Sequence, residues 1–318
     1  MTVPFVLLVL GAVAAATAPR LLARADWPDR EPVLALWVWQ CVVAAVLLCC
    51  VLAMALSAAA AWAAVRGNLF AFAPRGVADA YGLPGAGPWA GALAVLLACG
   101  GAWTAAMLTR EVRAARARQR KRRTDLLVRA PRLPGEGLEL APDERLVVLE
   151  GDRPDAWWLA GPRPRLVITT GALRRLKGRQ LDAVLAHELG HARARHDVLL
   201  HCAGALAAGF PQVPVFAGFR DQVHRLIELA ADDIASRRFG RLTTALALVE
   251  LNEDRGVFGP CATPLDDDSG HVSGRVNRLL DPAPRLSRVR RVRLTALSLL
   301  VPAIPLLVAF GPGLTALA

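Results

Sequence analysis

His187-Glu188-Leu189-Gly190-His191 sets two histidines four residues apart around a glutamate. On an α-helix that spacing places both imidazoles on one face, one turn apart, where they can bind the same zinc ion. Glu188 lies beside them, where a carboxylate can take a proton from a water on the metal. One short motif thus supplies two ligands and a general base. Leu181, Val184 and Leu185 lead into it with helical apolar spacing, so the helix is expected to pack rather than stand free. Just upstream, 165–171 (Arg-Leu-Val-Ile-Thr-Thr-Gly) reads as a β-branched strand ending at a glycine, followed by a short helix over 172–177 and a break at Gly178.

Catalytic zinc needs a third protein ligand and keeps a fourth position open. Glu228 offers itself in 225–233 (Arg-Leu-Ile-Glu-Leu-Ala-Ala-Asp-Asp), with Asp232 one turn on and on the same helical face. Glu228 can then bind the ion while Asp232 accepts the second ring N–H of a ligating histidine. A third histidine close downstream fits poorly, because the register that would supply it holds Ala194 and Asp197. His196 is off register and reads as a polar residue at a helix end. His224, one turn before Glu228, is a candidate contact to substrate or transition state. His271 and Arg275 lie in 266–275, which reads as a mobile-looking loop leading into a short helix through Leu280.

The strand ending in Thr-Thr-Gly, the HExxH helix and the later Glu-x-x-x-Asp together resemble the gluzincin membrane peptidases of families M56 and M48, over about residues 153–240. The BlaR-type M56 group looks the closer, through the segment 156–171. That resemblance implies His187, His191 and Glu228 as zinc ligands, Glu188 as the base and Asp232 as the partner behind a ligand. It also implies a protein or peptide substrate, with a transcriptional repressor as one form of it, cleaved in signal transduction. Because M48 relatives carry a His and an Arg downstream of the zinc helices, though at a different spacing, it further implies Arg275 as a contact to substrate or transition state. An M48-like quality-control protease acting on membrane proteins is the alternative, against which three spans before the zinc motif count. A non-catalytic membrane receptor or scaffold keeping the fold is the reading from another class, and the intact base and ligands argue against it.

Hydrophobic residues make up 54% of the chain, and four runs lack any charge: 1–19, 32–65, 81–109 and 294–318. Each approaches or exceeds the roughly 20 residues that cross a bilayer. The first lacks a basic n-region and so reads as a span, not a cleaved signal peptide. Trp39 and Trp62, about 35 Å apart on a helix, are expected at the two interfaces of the second. Arginines crowd 110–129 after the third run and 285–293 before the fourth, so both ends of the central region are expected in the cytoplasm and both termini outside. The net charge of +11 does not call for nucleic acid, because the basic run abuts a span, where anionic lipid is the expected partner. Cys41, Cys49, Cys50, Cys99, Cys202 and Cys261 show no metal or redox spacing.

A fifth uncharged stretch, 198–218, is long enough to cross, yet a crossing would part His187 from Glu228. Pro211 and Pro214 favour a hairpin that turns back. The expected architecture is a mainly α multi-pass cell-membrane protein, with a three-span region (1–109), a basic cytosolic linker (110–130), a cytosolic α+β gluzincin-type zinc peptidase domain (131–293) and a fourth span (294–318). The α+β character comes from strands at 145–150, 156–160 and 166–170 beside the zinc helix, with 131–142 as an entry loop.

Overall fold

The computed structural model describes residues 2–74, 77–81, 89–129, 139–141, 144–152, 154–159, 165–252 and 267–316. The chain is mostly helical with one small sheet, and divides into two compact units.

The first unit gathers residues 1–111, 202–222 and 286–318. It holds α1 (Thr2–Ala23), α2 (Pro32–Ala61), α3 (Ala63–Leu69), α4 (Val77–Ala80), the N-terminal part of α5 (Trp89–Arg129), and α12 (Arg288–Thr315). Four of these helices carry stretches long and apolar enough to cross a membrane: Val3–Ala23, Pro32–Ala61, Trp89–Ala114 and Arg288–Thr315. They match the four uncharged runs because nothing in those runs favours water over lipid. α2 packs against α1 and α12, and Leu7, Cys49, Ala53 and Ala309 are buried together. Trp39 is buried against Phe219 and Gly218. Trp62 is exposed. The cysteines among the described residues are unpaired; Cys261 lies outside them.

Residues 198–218 do not form one helix. α8 (His196–Gly209) ends before the prolines and α9 (Pro214–Phe239) begins at the second of them. Fourteen residues of α8 reach about 21 Å, short of a bilayer's ~30 Å hydrocarbon core. The break frees carbonyls at the end of α8, and the indole N–H of Trp103 donates to that of Gly209 at 2.9 Å.

The second unit comprises residues 112–201 and 223–285. Its sheet has the order β1-β2-β4-β3, from β1 (Glu139–Ala141), β2 (Glu144–Leu149), β3 (Ala156–Leu159) and β4 (Arg165–Thr169). β2 runs parallel to β4, Leu146 beside Leu166, and β3 runs antiparallel to it, Trp157 beside Val167. β1 occupies 139–141, inside the segment read from sequence as a loop; 130–138 lie outside the described residues.

β4 leads straight into α6 (Thr170–Arg175). Thr169 caps it by accepting the N–H of Ala172 at 3.2 Å, and only glycine fits at 171, where a Cβ would meet the carbonyl oxygen of Asp152 at 2.3 Å. α7 (Arg179–Arg193) follows Gly178, whose φ of +50° is the break read from the sequence. Val184 of α7, Ile168 of β4 and Ala247 of α10 (Arg241–Asn252) share a core. α11 (Asp267–Leu280) corrects the expected loop at 266–275: the chain is helical from Asp267. Val272, Val276 and Leu279 recur at helical spacing and bury against Ala245 and Leu248 of α10, a tertiary contact that holds this stretch as a helix.

Candidate metal centre

α7 presents His187, Glu188 and His191; α9, returning after the break, presents Glu228 and Asp232; α11 presents Arg275. The imidazole Nε2 atoms of His187 and His191 are 3.2 Å apart. Glu228 Oε2 lies 3.5 Å from the first and Oε1 lies 3.3 Å from the second. One donor atom from each of the three residues falls within 4.8 Å of the others, a group able to hold a metal ion. A tetrahedral ion with bonds of about 2.05 Å sets its ligand atoms about 3.3 Å apart, a spacing that the two imidazole nitrogens match at 3.2 Å, while Glu228 offers a different oxygen to each of them.

The surroundings orient the donors. His187 Nδ1 meets Asp232 Oδ1 at 3.0 Å, which turns its Nε2 toward the cluster. Arg275 grips Asp232 with two hydrogen bonds, Nε to Oδ2 and Nη2 to Oδ1, both 2.7 Å, and reaches Glu228 Oε2 through Nη1 at 2.8 Å. One turn on, Arg278 pairs with Asp233 at 2.8 Å, so two arginines of α11 staple it to α9. Asp232 is 2% exposed and Arg275 14%.

Charge follows from this packing. Burial opposes a charge on His187, yet the bonds to Asp232 and Glu228 outweigh it and push the ring up to about 10. Burial, with the charge of His187 alongside, pushes His191 down to about 4. Burial would raise Glu228, but its bond to His187 and the nearby Arg275 hold it at about 2. Asp232, also opposed by burial, is held well below the usual carboxylate range by Arg275 and His187. Asp232, buried, and Glu228, partly buried, thus face two cations, Arg275 and a protonated His187, and the Nε2 proton of His187 stands where a metal cation would take its place.

Glu188 is half-buried and lines, with His187, Glu228, Asp232 and Arg275, a pocket of about 160 Å³ whose other wall includes Val184, Ala247 and Leu251. Asp155, just before β3, lines it too, and β3 pairs with β4 alone among the described strands. The cleft is bounded by Pro154 and Asp155, at the entry to β3, on one side and by apolar side chains on another.

Of the residues singled out in the sequence, His187, His191, Glu228 and Asp232 come together with Glu188 beside them. Arg275 joins them as the partner of both acids. His224 does not: it is exposed on α9, about 6 Å of helix before Glu228, and does not line the pocket. His271 lies on α11 among residues whose side chains are not described. His196 was missed. It is 5% exposed, and its Nδ1 lies 3.0 Å from His191 Nδ1. No periodic signal could have found it, because five residues is not a helical repeat; a reversal at Arg195 brings it back.

The model of peptidase family M48 matches residues 114–296, more than half of the chain and the whole of this site. The chain belongs to peptidase family M48. The match falls on the alternative named beside the BlaR-type M56 group. Over 78 residues this M48 member is 42% identical to the plastoglobule-localized metallopeptidase 48 of Arabidopsis thaliana, an alignment covering 24% of this chain and 22% of the plant protein. The solved structure of S. mikatae Ste24p aligns at 17% identity with a TM-score of 0.37, over 60% of this chain and 64% of that one. The chain thus spans less than a quarter of the plant relative and under two thirds of the Ste24p chain.

Proposed function

We propose that this M48 member is an integral-membrane zinc metalloendopeptidase that cleaves membrane-bound or juxtamembrane protein segments. The observation that carries the reading is the convergence of His187, His191 and Glu228 within 4.8 Å, with Glu188 in the same pocket. Two imidazoles and a carboxylate are a donor set suited to zinc, and zinc in such a site would polarise a peptide carbonyl and acidify a water. Glu188 accepts a proton in the cleft and returns it to the leaving amine. Asp232 holds His187 by its Nδ1–H, and Arg275 keeps Asp232 and Glu228 ionised and aimed. An extended substrate adds along the edge of β3 that no other described strand pairs with, near the entry to the pocket.

The arginine clusters at 110–129 and 285–293 support a cytoplasmic peptidase unit with both termini outside the cell membrane. Membership of M48 favours turnover of membrane proteins as the setting; cleavage of a repressor rested on the BlaR-type resemblance. Comparing new N-termini in membranes from cells expressing the wild type or Glu188→Gln tests the proposal. Neo-N-termini in membrane proteins that vanish in the variant are expected. Identical N-terminal profiles would favour the non-catalytic scaffold.

A further inference from the structure

His191 is a ligand only if its Nε2 carries the lone pair, because that atom faces His187 Nε2 and Glu228 Oε1. A neutral imidazole has one proton, which must then sit on Nδ1 and needs an acceptor. With none there, the ring gains by the opposite tautomer, donating from Nε2 to Glu228 at 3.3 Å and blocking ligation. For His187 the acceptor is the Asp232 carboxylate. For His191 the atom in place is Nδ1 of His196, at 3.0 Å, with the two rings meeting edge to face at 82°.

The backbone is bent to put it there. Arg195 has a φ of +51°, alone among described non-glycine residues in the left-handed region, between the end of α7 and the start of α8. That turn costs an arginine about 1 kcal/mol and folds His196 back over His191 instead of away from it. His196 is also nearly buried, so its ring is held where a solvent-facing histidine would rotate.

We propose that His196 is a positioning residue that accepts the Nδ1 proton of His191 and so fixes that ring as an Nε2 ligand. The two ligands of α7 are then unlike: His187 is backed by a carboxylate, His191 by a neutral ring. His191 is the weaker donor of the pair and the one whose orientation depends on a single neighbour.

The inference rests on the zinc reading, and the test separates the two. Zinc affinity is measured by chelator competition on the purified full chain for wild type, His196→Leu, which fills the space without an acceptor, and His196→Asn, whose amide oxygen can stand near the lost Nδ1. Metal-free melting and the visible spectrum of the cobalt-loaded proteins are recorded alongside. The expectation is a roughly 10- to 100-fold loss of zinc affinity in His196→Leu, with the Asn variant within about three-fold of wild type and keeping its cobalt spectrum. Unchanged affinity in His196→Leu, or an equal loss in both variants, overturns the role of His196 and leaves the zinc site standing. If His196→Leu does not fold, His196→Ala takes its place: a roughly ten-fold or greater loss of zinc affinity relative to the Asn variant supports the role, and no difference between the two overturns it. A wild type that binds no zinc removes both readings together.

Discussion

Replacing Arg275 by methionine removes a buried cation while keeping an unbranched side chain of similar reach. The structure sets the magnitude. Arg275 is 14% exposed and makes two 2.7 Å bonds to Asp232, itself 2% exposed, so the variant leaves a carboxylate buried without its partner. Breaking a buried pair from one side costs about 3–5 kcal/mol, most of it the uncompensated charge. The third bond, to Glu228, adds less, because that carboxylate is 35% exposed and partly hydrated. At about 2–4 °C per kcal/mol for a unit of this size, the metal-free protein should melt roughly 6–20 °C lower. Scanning calorimetry of detergent-solubilised protein measures this. A double-mutant cycle with Asp232→Asn isolates the pair, since the amide should cost far less once Arg275 is gone than in its presence. A drop under about 3 °C, or additive single effects, would refute the assignment of Arg275 as the group that stabilises the acids.

Three further outcomes are expected. In chelator-treated protein stability should peak near pH 6.5: His187, raised to about 10, loses its contribution as pH climbs from about 6.5 toward 10, whereas His191, lowered to about 4, loses its own as pH falls below about 6.5. Glu228, lowered to about 2, and Asp232 add a further loss below about pH 4.5, and a flat profile between pH 5 and 9 would contradict the whole set. At Arg195, with φ +51°, Val should be less stable than Gly by about 1–2 kcal/mol in melting experiments, and equal stability would remove the strained turn from the account. In a cysteine-free background, Arg193→Cys and Arg220→Cys, both at exposed positions, should resist an impermeant external thiol reagent and react once the membrane is opened; labelling of the second alone from outside would make 198–218 a true span.

The parts of the site legible in the sequence are those that repeat with the helix. His187 and His191 are four residues apart, and so are Glu228 and Asp232, so each pair could be placed on one face without knowing what it faced. The need for three ligands to meet, together with Pro211 and Pro214, was enough to argue for a break in 198–218, which the end of α8 at Gly209 and the start of α9 at Pro214 supply. Arg275 is 43 residues from Asp232, and no local pattern reports a pairing at that distance. Its stretch read as a loop because Asp266 to Gly274 is rich in turn residues; the apolar contacts of Val272 and Val276 with α10 override that preference. His196 was hidden by a backbone reversal at an arginine, a residue with no preference for positive φ. Apolar runs gave four helices but not their neighbours, so the burial of Trp39 against Phe219 had no signal.

The most direct measurement of the central claim pairs zinc content with peptide hydrolysis in purified wild type and Glu188→Gln. Glu188 is in the pocket but outside the three-residue donor group, so the account predicts about one zinc per chain in both proteins and hydrolysis in the wild type only. Loss of zinc in Glu188→Gln, hydrolysis that survives the substitution, or a wild type without zinc would contradict it.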